Sequence, residues 1–250
     1  MACWLLNIGN SRTALCQRRT EFFSGIEHHP TAQVADSWHL PQGDHAIASC
    51  VIPSVRQTLS DHYGSRIHFI GVSDYPSVDF SRYDCRTLGG DRIANAAAAH
   101  HLIPDTPVMA IDCGTAINSV VVDAGGVFRG GVIMPGRRPA RSALATATAQ
   151  LPDIPENDPR RITPVALDTA DAIASGVDLG IAGAIEFIIR ATRKIDGLEN
   201  AAVILCGGDA EYLSQLVDPS LQARTLPFPL TLFGVSLAAS YAPRHQQCLE

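Results

Sequence analysis

The sequence predicts an α/β protein built from two similar domains that face each other across a ligand cleft. A strand–turn–strand pattern occurs twice, as "WLLNIGNSRTALC" and "VMAIDCGTAINSVVV", about a hundred residues apart. Each copy has an apolar strand, a polar residue, a glycine two positions on and a second strand, and a repeat near the start of each half points to a duplicated architecture. Behind each copy, short apolar runs alternate with helical stretches, the pattern of packed sheet and helix layers. The division falls at 1–104 and 105–250, and the turn of each copy points into the cleft.

The elements follow in order. "CWLLN" and "TALCQ" are the strands that flank the first turn. "HAIASCVI" reads as a buried strand, and Pro53, suited to the first turn of a helix, opens a helical pattern to about Tyr63. "RIHFIGV" is a further strand. Residues 72–90 read as a loop, with Pro76, Gly89 and Gly90 as its breakers. "DRIANAAAAHHL" is made almost entirely of good helix formers, and Pro104 and Pro107 bracket the connection that follows. The second half opens with three strands, Val108–Asp112, Ile117–Asp123 and Val127–Ile133, with Gly125–Gly126 as a hairpin turn. Pro135–Gly136 ends the third, and a helix runs on to about Thr148. Residues 152–165 are a surface loop rich in proline and charge. "LDTADAIASGVDLGIAGAIEFIIRATRKI" is one long helix or a broken pair, with Gly176 and Gly180 as weak points. "AAVILCGGDAEYL" is a strand, a Gly–Gly turn and a helix, and "TLFGVSLAASYA" is a closing helix.

Composition narrows the function classes. The chain has 250 residues, 46% hydrophobic and 18% charged, enough for a sizeable core. The net charge is −6 and no Lys/Arg-rich run exists, so no nucleic-acid footprint is expected. No apolar stretch reads as long enough to span a membrane. "MACWLLNIGN" runs straight into a core strand and reads as a mature cytoplasmic start, not a signal peptide. The seven cysteines, Cys3, Cys16, Cys50, Cys85, Cys113, Cys206 and Cys248, are odd in number, show no CxxC pair and mostly sit in apolar runs. They read as buried reduced thiols rather than a disulfide framework or zinc site.

Four segments hold candidate site residues. In "NIGNSR", Gly9 permits close backbone approach to a ligand, successive N–H groups can form an anion nest, and Asn10, Ser11 and Arg12 add donors. A plain hairpin would use the same residues, and the second copy of the turn tips the reading toward phosphate. In "DCGTA", Asp112 ends an apolar strand, Gly114 permits close approach and Thr115 offers a hydroxyl. A carboxylate beside a phosphate needs a cation between them; capping the turn N–H groups is the other role open to Asp112. In "LGGDRIANAAAA", Asp91 stands at a helix start, where an N-cap is the plain alternative. Arg92 beside it is disfavoured by the helix dipole, which points to an acidic substrate. Together the pair can hold such a substrate and take a hydroxyl proton, a role in phosphoryl transfer that a positioned carboxylate fills. In "LCGGDAEYL", Gly207 and Gly208 can bring backbone against an adenine or ribose. GxGxxG and GxxxxGK[ST] are both absent, so dinucleotide-fold and Walker-type readings lose ground.

Taken together these blocks resemble the actin/hexokinase/Hsp70 superfamily of ATP-binding folds and, within it, type III pantothenate kinases. The resemblance runs over nearly the whole chain, through "NIGNSR", "SCVIPSV", "GGDRIANAAAA", "DCGTAINSVVVDAGGVFRGGVIMPG", "LATATAQLP", "DTADAIASGVDLGIAGAIE" and "VILCGGDAEYL". Its most specific part is GGDR followed about twenty residues later by DCGTA. The resemblance implies two actin/ribonuclease H-like domains with an ATP cleft between them. It implies ATP-dependent phosphorylation of the primary hydroxyl of pantothenate to 4'-phosphopantothenate, a step toward coenzyme A, with Mg²⁺ and a monovalent cation, K⁺ or NH₄⁺. Asp91 would be the general base. Tyr83, Gly89, Gly90, Asp91, Arg92 and Thr169 would hold pantothenate. Asn7, Ile8, Gly9, Asn10, Ser11, Arg12, Thr13 and Ala14 would cradle the phosphates, with Thr115, Gly207 and Gly208 also on ATP. Asp112 would bind the monovalent cation. A homodimer with substrate sites at the subunit interface is implied as well. Departures from the family's pattern are Asn7 in place of an Asp, a Tyr83–Asp91 loop one residue short and without a proline, Asn118 in place of a threonine and Val120 in place of an acid. They raise two alternatives, a kinase for another small hydroxyl compound and a catalytically degenerate binding or regulatory relative.

Overall fold

The computed structural model describes residues 2–18, 25–158 and 160–241. It has two sheets with helices packed between and around them. The first sheet is built from β1 (Cys3–Ile8), β2 (Arg12–Gln17) and β3 (Glu27–Pro30), followed by a short helix α1 (Thr31–Ser37), then β4 (His45–Cys50), α2 (Pro53–Tyr63) and β5 (Ile67–Phe69). Its strand order is β3-β2-β1-β4-β5, with β1–β2 and β2–β3 antiparallel and β1–β4 and β4–β5 parallel. Two short helical turns, Val72–Asp74 and Cys85–Thr87, interrupt the loop that leads to α3 (Gly90–Leu102).

The second sheet begins with β6 (Val108–Cys113), β7 (Ala116–Val122), β8 (Phe128–Gly130) and β9 (Ile133–Pro135), then continues through α4 (Arg137–Ala147), α5 (Thr169–Thr192), β10 (Ala202–Cys206), α6 (Ala210–Ser214), β11 (Arg224–Thr225) and α7 (Leu230–Tyr241). The order β11-β10-β6-β7-β8, with β9 also on β7, repeats the pattern of the first sheet: an antiparallel hairpin whose first strand is flanked by a parallel one. The duplication seen in the sequence is therefore present as a duplicated topology.

Strand alternation explains the core. In β1, Cys3 and Leu5 face one cluster while Leu6 and Ile8 face another; in β6, Val108 and Ala110 share the first cluster while Met109 and Ile111 join a third. The shared cluster lies between the two sheets and is filled by α3 and α7, which pack on each other; α7 also reaches β1 and β4, and α3 reaches β6 and β7. A run of small residues, Ala94 and Ala96–Ala99, makes that close packing possible, and all five are buried. Asn7, Ser49 on β4, Asp112 and Asn118 on β7 lie in phase with the strand residues of this shared cluster. Their side chains therefore emerge at the end of the interior, on the cleft side.

Some expectations need amendment. The single strand expected over Val127–Ile133 is two, β8 and β9, because Gly130 takes φ +93° and Gly131 lies so close to the Ser119 backbone that no side chain fits there. The register of β7 on β8 shifts at Val121/Val122 as a result. Residues 169–192 form one unbroken helix through Gly176 and Gly180. That helix is also long and apolar enough to cross a membrane, contrary to the expectation that no stretch is; 44% of its most apolar window is buried. Ile181, Ile185 and Ile189 pack into the cluster behind the second sheet, so α5 has a protein face to cover. The described cysteines are all free, and Cys3, Cys16, Cys113 and Cys206 are buried; Cys248 lies outside the described residues.

Candidate active site

The two repeated turns meet. Ser11 Oγ, in the β1–β2 turn, stands 2.9 Å from Thr115 Oγ1, in the β6–β7 turn, a contact between residues 104 apart in sequence. The first turn is tight: Gly9 N–H donates to Arg12 C=O at 3.1 Å, and Thr31 fixes it from outside, its hydroxyl donating to Gly9 C=O at 2.8 Å and its N–H to Ser11 C=O at 3.1 Å. Asn10, Ser11 and Arg12 are exposed there, Ile8, Thr13 and Ala14 are buried beneath, and Asn7 is partly buried.

The second turn is clasped by two glycine-bearing segments. Gly136, which caps α4, donates its N–H to Thr115 C=O at 2.9 Å, and Asp209 N–H donates to Cys113 C=O at 2.9 Å. Gly207 takes φ +91° and its Cα faces the Asp112 carboxylate and the Cys113 backbone so closely that a Cβ would overlap both. The Gly207–Gly208 turn thus seats directly on the DCGT turn.

Asp91 is the second residue of α3, whose cap is Gly89. It is not the N-cap that its position in the sequence allows. Its carboxylate accepts from Arg92 N–H at 2.8 Å, and burial pushes its pKa above the ordinary carboxylate value, partly offset by that N–H and by the Arg92 charge. Asp112 accepts a single long hydrogen bond, 3.4 Å from Asn95 Nδ2, and no turn N–H donates to it among the described residues. Its pKa is pushed up to about 6, chiefly by burial and then by the charge of Asp91, against the Asn95 bond. The Asp112 carboxyl therefore feels the charge of Asp91. Asn95 is itself completely buried and is held by Thr231 on α7, whose hydroxyl donates to Asn95 Oδ1 at 2.8 Å. Asn118, the register partner of Asp112, has a buried Oδ1 without a hydrogen-bond partner.

Arg92 is buried at 7% exposure, unusual for an arginine. Its Nη1 donates to Tyr83 OH at 3.3 Å, the guanidinium sits 5.6 Å over the Tyr83 ring, and Nε has no partner. Tyr83 is fixed edge-on against Phe128 at 5.1 Å, and its loop is pinned to the second sheet by Asp79, whose N–H donates to Gly126 C=O and whose C=O accepts from Phe128 N–H. The structure thus brings together Tyr83, Gly89, Gly90, Asp91 and Arg92. Thr169 stands apart: it is exposed at the first position of α5, with no hydrogen bond to Tyr83, Asp91 or Arg92 among the described residues.

A buried ionic network escaped the sequence reading. Asp178 on α5, with no exposed surface, accepts from Arg137 Nε and Nη2 at 3.0 Å, from Arg141 Nη2 at 2.9 and 3.0 Å, and from Tyr212 OH at 2.6 Å. Burial raises its pKa, but these bonds and charges outweigh it and hold the carboxyl below its ordinary value. Arg137 also reaches Asp209 at 3.2 Å and stacks 4.1 Å over the Tyr212 ring. Since Arg137 follows Gly136 and Asp209 follows Gly208, the network ties together the two segments that clasp the DCGT turn.

The sequence profile of the type III pantothenate kinase family matches residues 4–191. The chain belongs to that family. Type III pantothenate kinases of two Porphyromonas gingivalis strains are 42% identical over 140 residues, which is 54% of this chain and 55% of theirs, so the match spans little more than half their length. The type III pantothenate kinase of Rubrobacter xylanophilus is 35% identical over 206 residues, 75% of each chain. Among solved structures, a conserved Baf-family protein from Campylobacter jejuni superposes with a TM-score of 0.65 at 19% identity, over 98% of this chain and 100% of the other. An archaeal actin homologue in complex with ADP gives 0.52 at 10% identity, over 97% and 100%. The fold is that of the actin-like ATPases, as the duplicated sheets indicate.

Proposed function

We propose that the protein transfers the γ-phosphoryl group of ATP to the primary hydroxyl of pantothenate, giving 4'-phosphopantothenate. The observation that carries this reading is the meeting of the two turns at Ser11 and Thr115 with Asp91 placed at the mouth of α3 beside them. Phosphoryl transfer asks for positioning and electrostatics more than for covalent chemistry. The turns Gly9–Arg12 and Gly114–Ala116 supply backbone N–H groups for the phosphates, and the close packing of Gly207 on Asp112 leaves a backbone face for the adenosine. Asp91 accepts the proton as the hydroxyl oxygen attacks; burial raises its pKa, which makes it a stronger base. Arg92 brings a buried positive charge with an unpartnered Nε, suited to the pantothenate carboxylate.

The fit to cations differs between the two turns. At the second, a buried carboxylate without a cationic partner faces an unpartnered buried Asn118 oxygen, which suits a monovalent cation such as K⁺ or NH₄⁺ held by Asp112 and Asn118. Bound there, the cation supplies positive charge between Asp112 and the phosphates. At the first, Asn7 offers a neutral oxygen where the family's pattern has an Asp, so Mg²⁺ would be held mainly by ATP and water.

A homodimer fits the surface. Val132, Ile133, Phe187 and Ile195 are exposed, Phe187 at 73%, and Val132 and Ile195 line a groove of about 240 Å³ between β7 and α5. Covering that patch removes an exposed apolar surface, and the exposed Thr169 suits an acceptor site completed at a subunit interface.

The test is ATP-dependent phosphorylation of pantothenate by the purified protein with Mg²⁺ and K⁺. Turnover is expected, and Asp91→Asn is expected to lower kcat by about 10²–10⁴-fold, the range for loss of a general base. A folded protein without turnover would overturn the reading in favour of another hydroxyl acceptor or a binding role.

A further inference from the structure

Thr31, the first residue of α1, lies outside every candidate segment yet holds the β1–β2 turn. It is buried and makes three contacts there. Its hydroxyl donates to Gly9 C=O at 2.8 Å, its N–H donates to Ser11 C=O at 3.1 Å, and its Oγ1 lies 3.0 Å from Thr13 Oγ1. A carbonyl can only accept, so the one proton of the Thr31 hydroxyl is committed to Gly9, and Thr13 is the donor to Thr31. The result is a buried relay, Thr13 O–H to Thr31 O–H to Gly9 C=O, on the outer side of the turn. Thr31 stands beyond β2, on the β3 side of the sheet. In a planar trans peptide the C=O and N–H point in opposite directions. Drawing the Gly9 and Ser11 carbonyls to the β3 side therefore turns the N–H groups of Asn10 and Arg12 the other way, toward β1 and β4. That is where α3 begins, with Gly90 against Ser49 and Cys50. Asn10 and Ser11 are exposed, and their N–H groups have no acceptor among the described residues.

We propose that Thr31 is a positioning residue for the nucleotide phosphates: by binding two carbonyls of the turn from outside, it aims the turn's N–H groups into the cleft; this rests on the kinase reading above. An anion nest needs successive N–H groups that converge on one point. A glycine turn left to itself can rotate its peptide planes and present carbonyl oxygens to the anion instead. Fixing the planes before the ligand arrives removes an ordering cost from binding. Thr31 is buried behind the turn and acts through it, so it touches no ligand itself. Its influence falls on the phosphates, because the Gly207–Gly208 turn proposed for the adenosine belongs to the second sheet. Valine at this position keeps the shape and the backbone N–H but loses the link to Gly9, whereas serine keeps the hydroxyl.

The variants are Thr31→Val and Thr31→Ser, with affinities for ADP and for adenosine by ligand-observed NMR, KM for ATP and for pantothenate, and Tm all measured. Loss of one hydrogen bond corresponds to roughly a tenfold effect. Thr31→Val is therefore expected to weaken ADP binding about tenfold and to raise KM for ATP by a similar factor, with adenosine affinity and KM for pantothenate within about twofold. Thr31→Ser is expected to restore the preference for ADP over adenosine. Tm of Thr31→Val should fall, because Thr13 loses its acceptor; a purely structural role predicts that fall with the preference for ADP unchanged. If Thr31→Val does not fold, the double variant Thr13→Val/Thr31→Val, which strands no buried hydroxyl, carries the same expectation, and failure of both to fold would make Thr31 a stability residue and overturn the inference. An unchanged preference in the folded variant, or an equal loss for ADP and adenosine, would overturn it while leaving the kinase reading intact. A wild-type protein that binds ADP no more tightly than adenosine and does not phosphorylate pantothenate would overturn the kinase reading and this inference with it.

Discussion

Replacing Asp178 by alanine should be among the most destabilising single changes in the second half of the chain. The carboxylate has no exposed surface and joins two guanidiniums whose side chains are 8% and 1% exposed. Without it the two arginines fare differently. Arg137 keeps Asp209 at 3.2 Å. Among the described residues Arg141 keeps only the Pro155 carbonyl, at 2.7 Å from Nη1, and its Nε is already without a partner there. A fully buried cation is then left with one neutral acceptor. Removing one member of a buried pair costs about 3–5 kcal/mol, and the isolation of Arg141 places this case near 4 in that range. With about 2–4 °C of Tm per kcal/mol for a chain of this size, the midpoint should fall by roughly 10 °C. Urea denaturation followed by circular dichroism and by tryptophan emission is the assay. Trp4 and Trp38, the two tryptophans, lie with the first sheet, whereas the lesion lies behind the second. A dichroism transition that shifts ahead of the emission transition would show the halves unfolding separately; a joint shift would show them coupled through α3 and α7. Asp178→Asn, which keeps the volume and removes the charge, should lose nearly as much. A loss under about 1 kcal/mol for both variants would refute the argument, because it would mean that the arginines find water or other acceptors without hindrance.

Other consequences are directly measurable. Gly207→Ala forces a Cβ into the Asp112 carboxylate and Cys113 backbone at a positive φ; strain of about 1–3 kcal/mol corresponds to ATP binding weakened roughly ten- to a hundredfold, read by calorimetry with ADP. The Asp112 carboxyl, pushed up to about 6 when folded from an ordinary value of 3.8, holds a proton in the folded state that the unfolded chain has already released between those pH values. In cation-free buffer, folding stability should therefore be greatest below about pH 4 on this account and fall by about 2–3 kcal/mol as pH rises through 6. Asp112→Asn should flatten that slope, and potassium should reduce it in the wild type by favouring the charged form; denaturant midpoints between pH 4 and 7 check both.

What could be read in advance was what is local. The β1–β2 and β6–β7 turns, the GGDR helix start and the GGD turn each declare themselves within a dozen residues, because glycine, a capping position and an apolar run are short-range signals. β3 did not, since "EHHP" has no apolar alternation and pairs only with β2 at the sheet edge. The split of β8 from β9 was hidden because its cause, the approach of Gly131 to Ser119, is a contact across strands. Arg137, Arg141, Asp178 and Tyr212 span 75 positions and look unremarkable one at a time. One clue was present: Asp178 falls in helical register with Ala174, Ile181, Ala182 and Ile185, an acid on the buried stripe of α5, and a buried acid calls for cationic partners. Thr31 and Asn95 gave no such signal, since small polar residues are common in every segment and only their specific partners set these two apart.

The duplication also gives Asn7 a physical context. Asn7 and Asp112 occupy equivalent places, each ending the first strand of its hairpin on the face shared with α3 and α7. A carboxylate at both would put three acids, residues 7, 91 and 112, around one cleft with Arg92 as the buried cation opposite. With two, burial already raises both pKa values, and the charge of Asp91 adds to the rise at Asp112. A third would raise them further, weakening the ionised form that a base and a cation ligand both need, unless a bound divalent ion offset it. With asparagine the cleft keeps two functional acids and relies less on such an ion to hold them ionised.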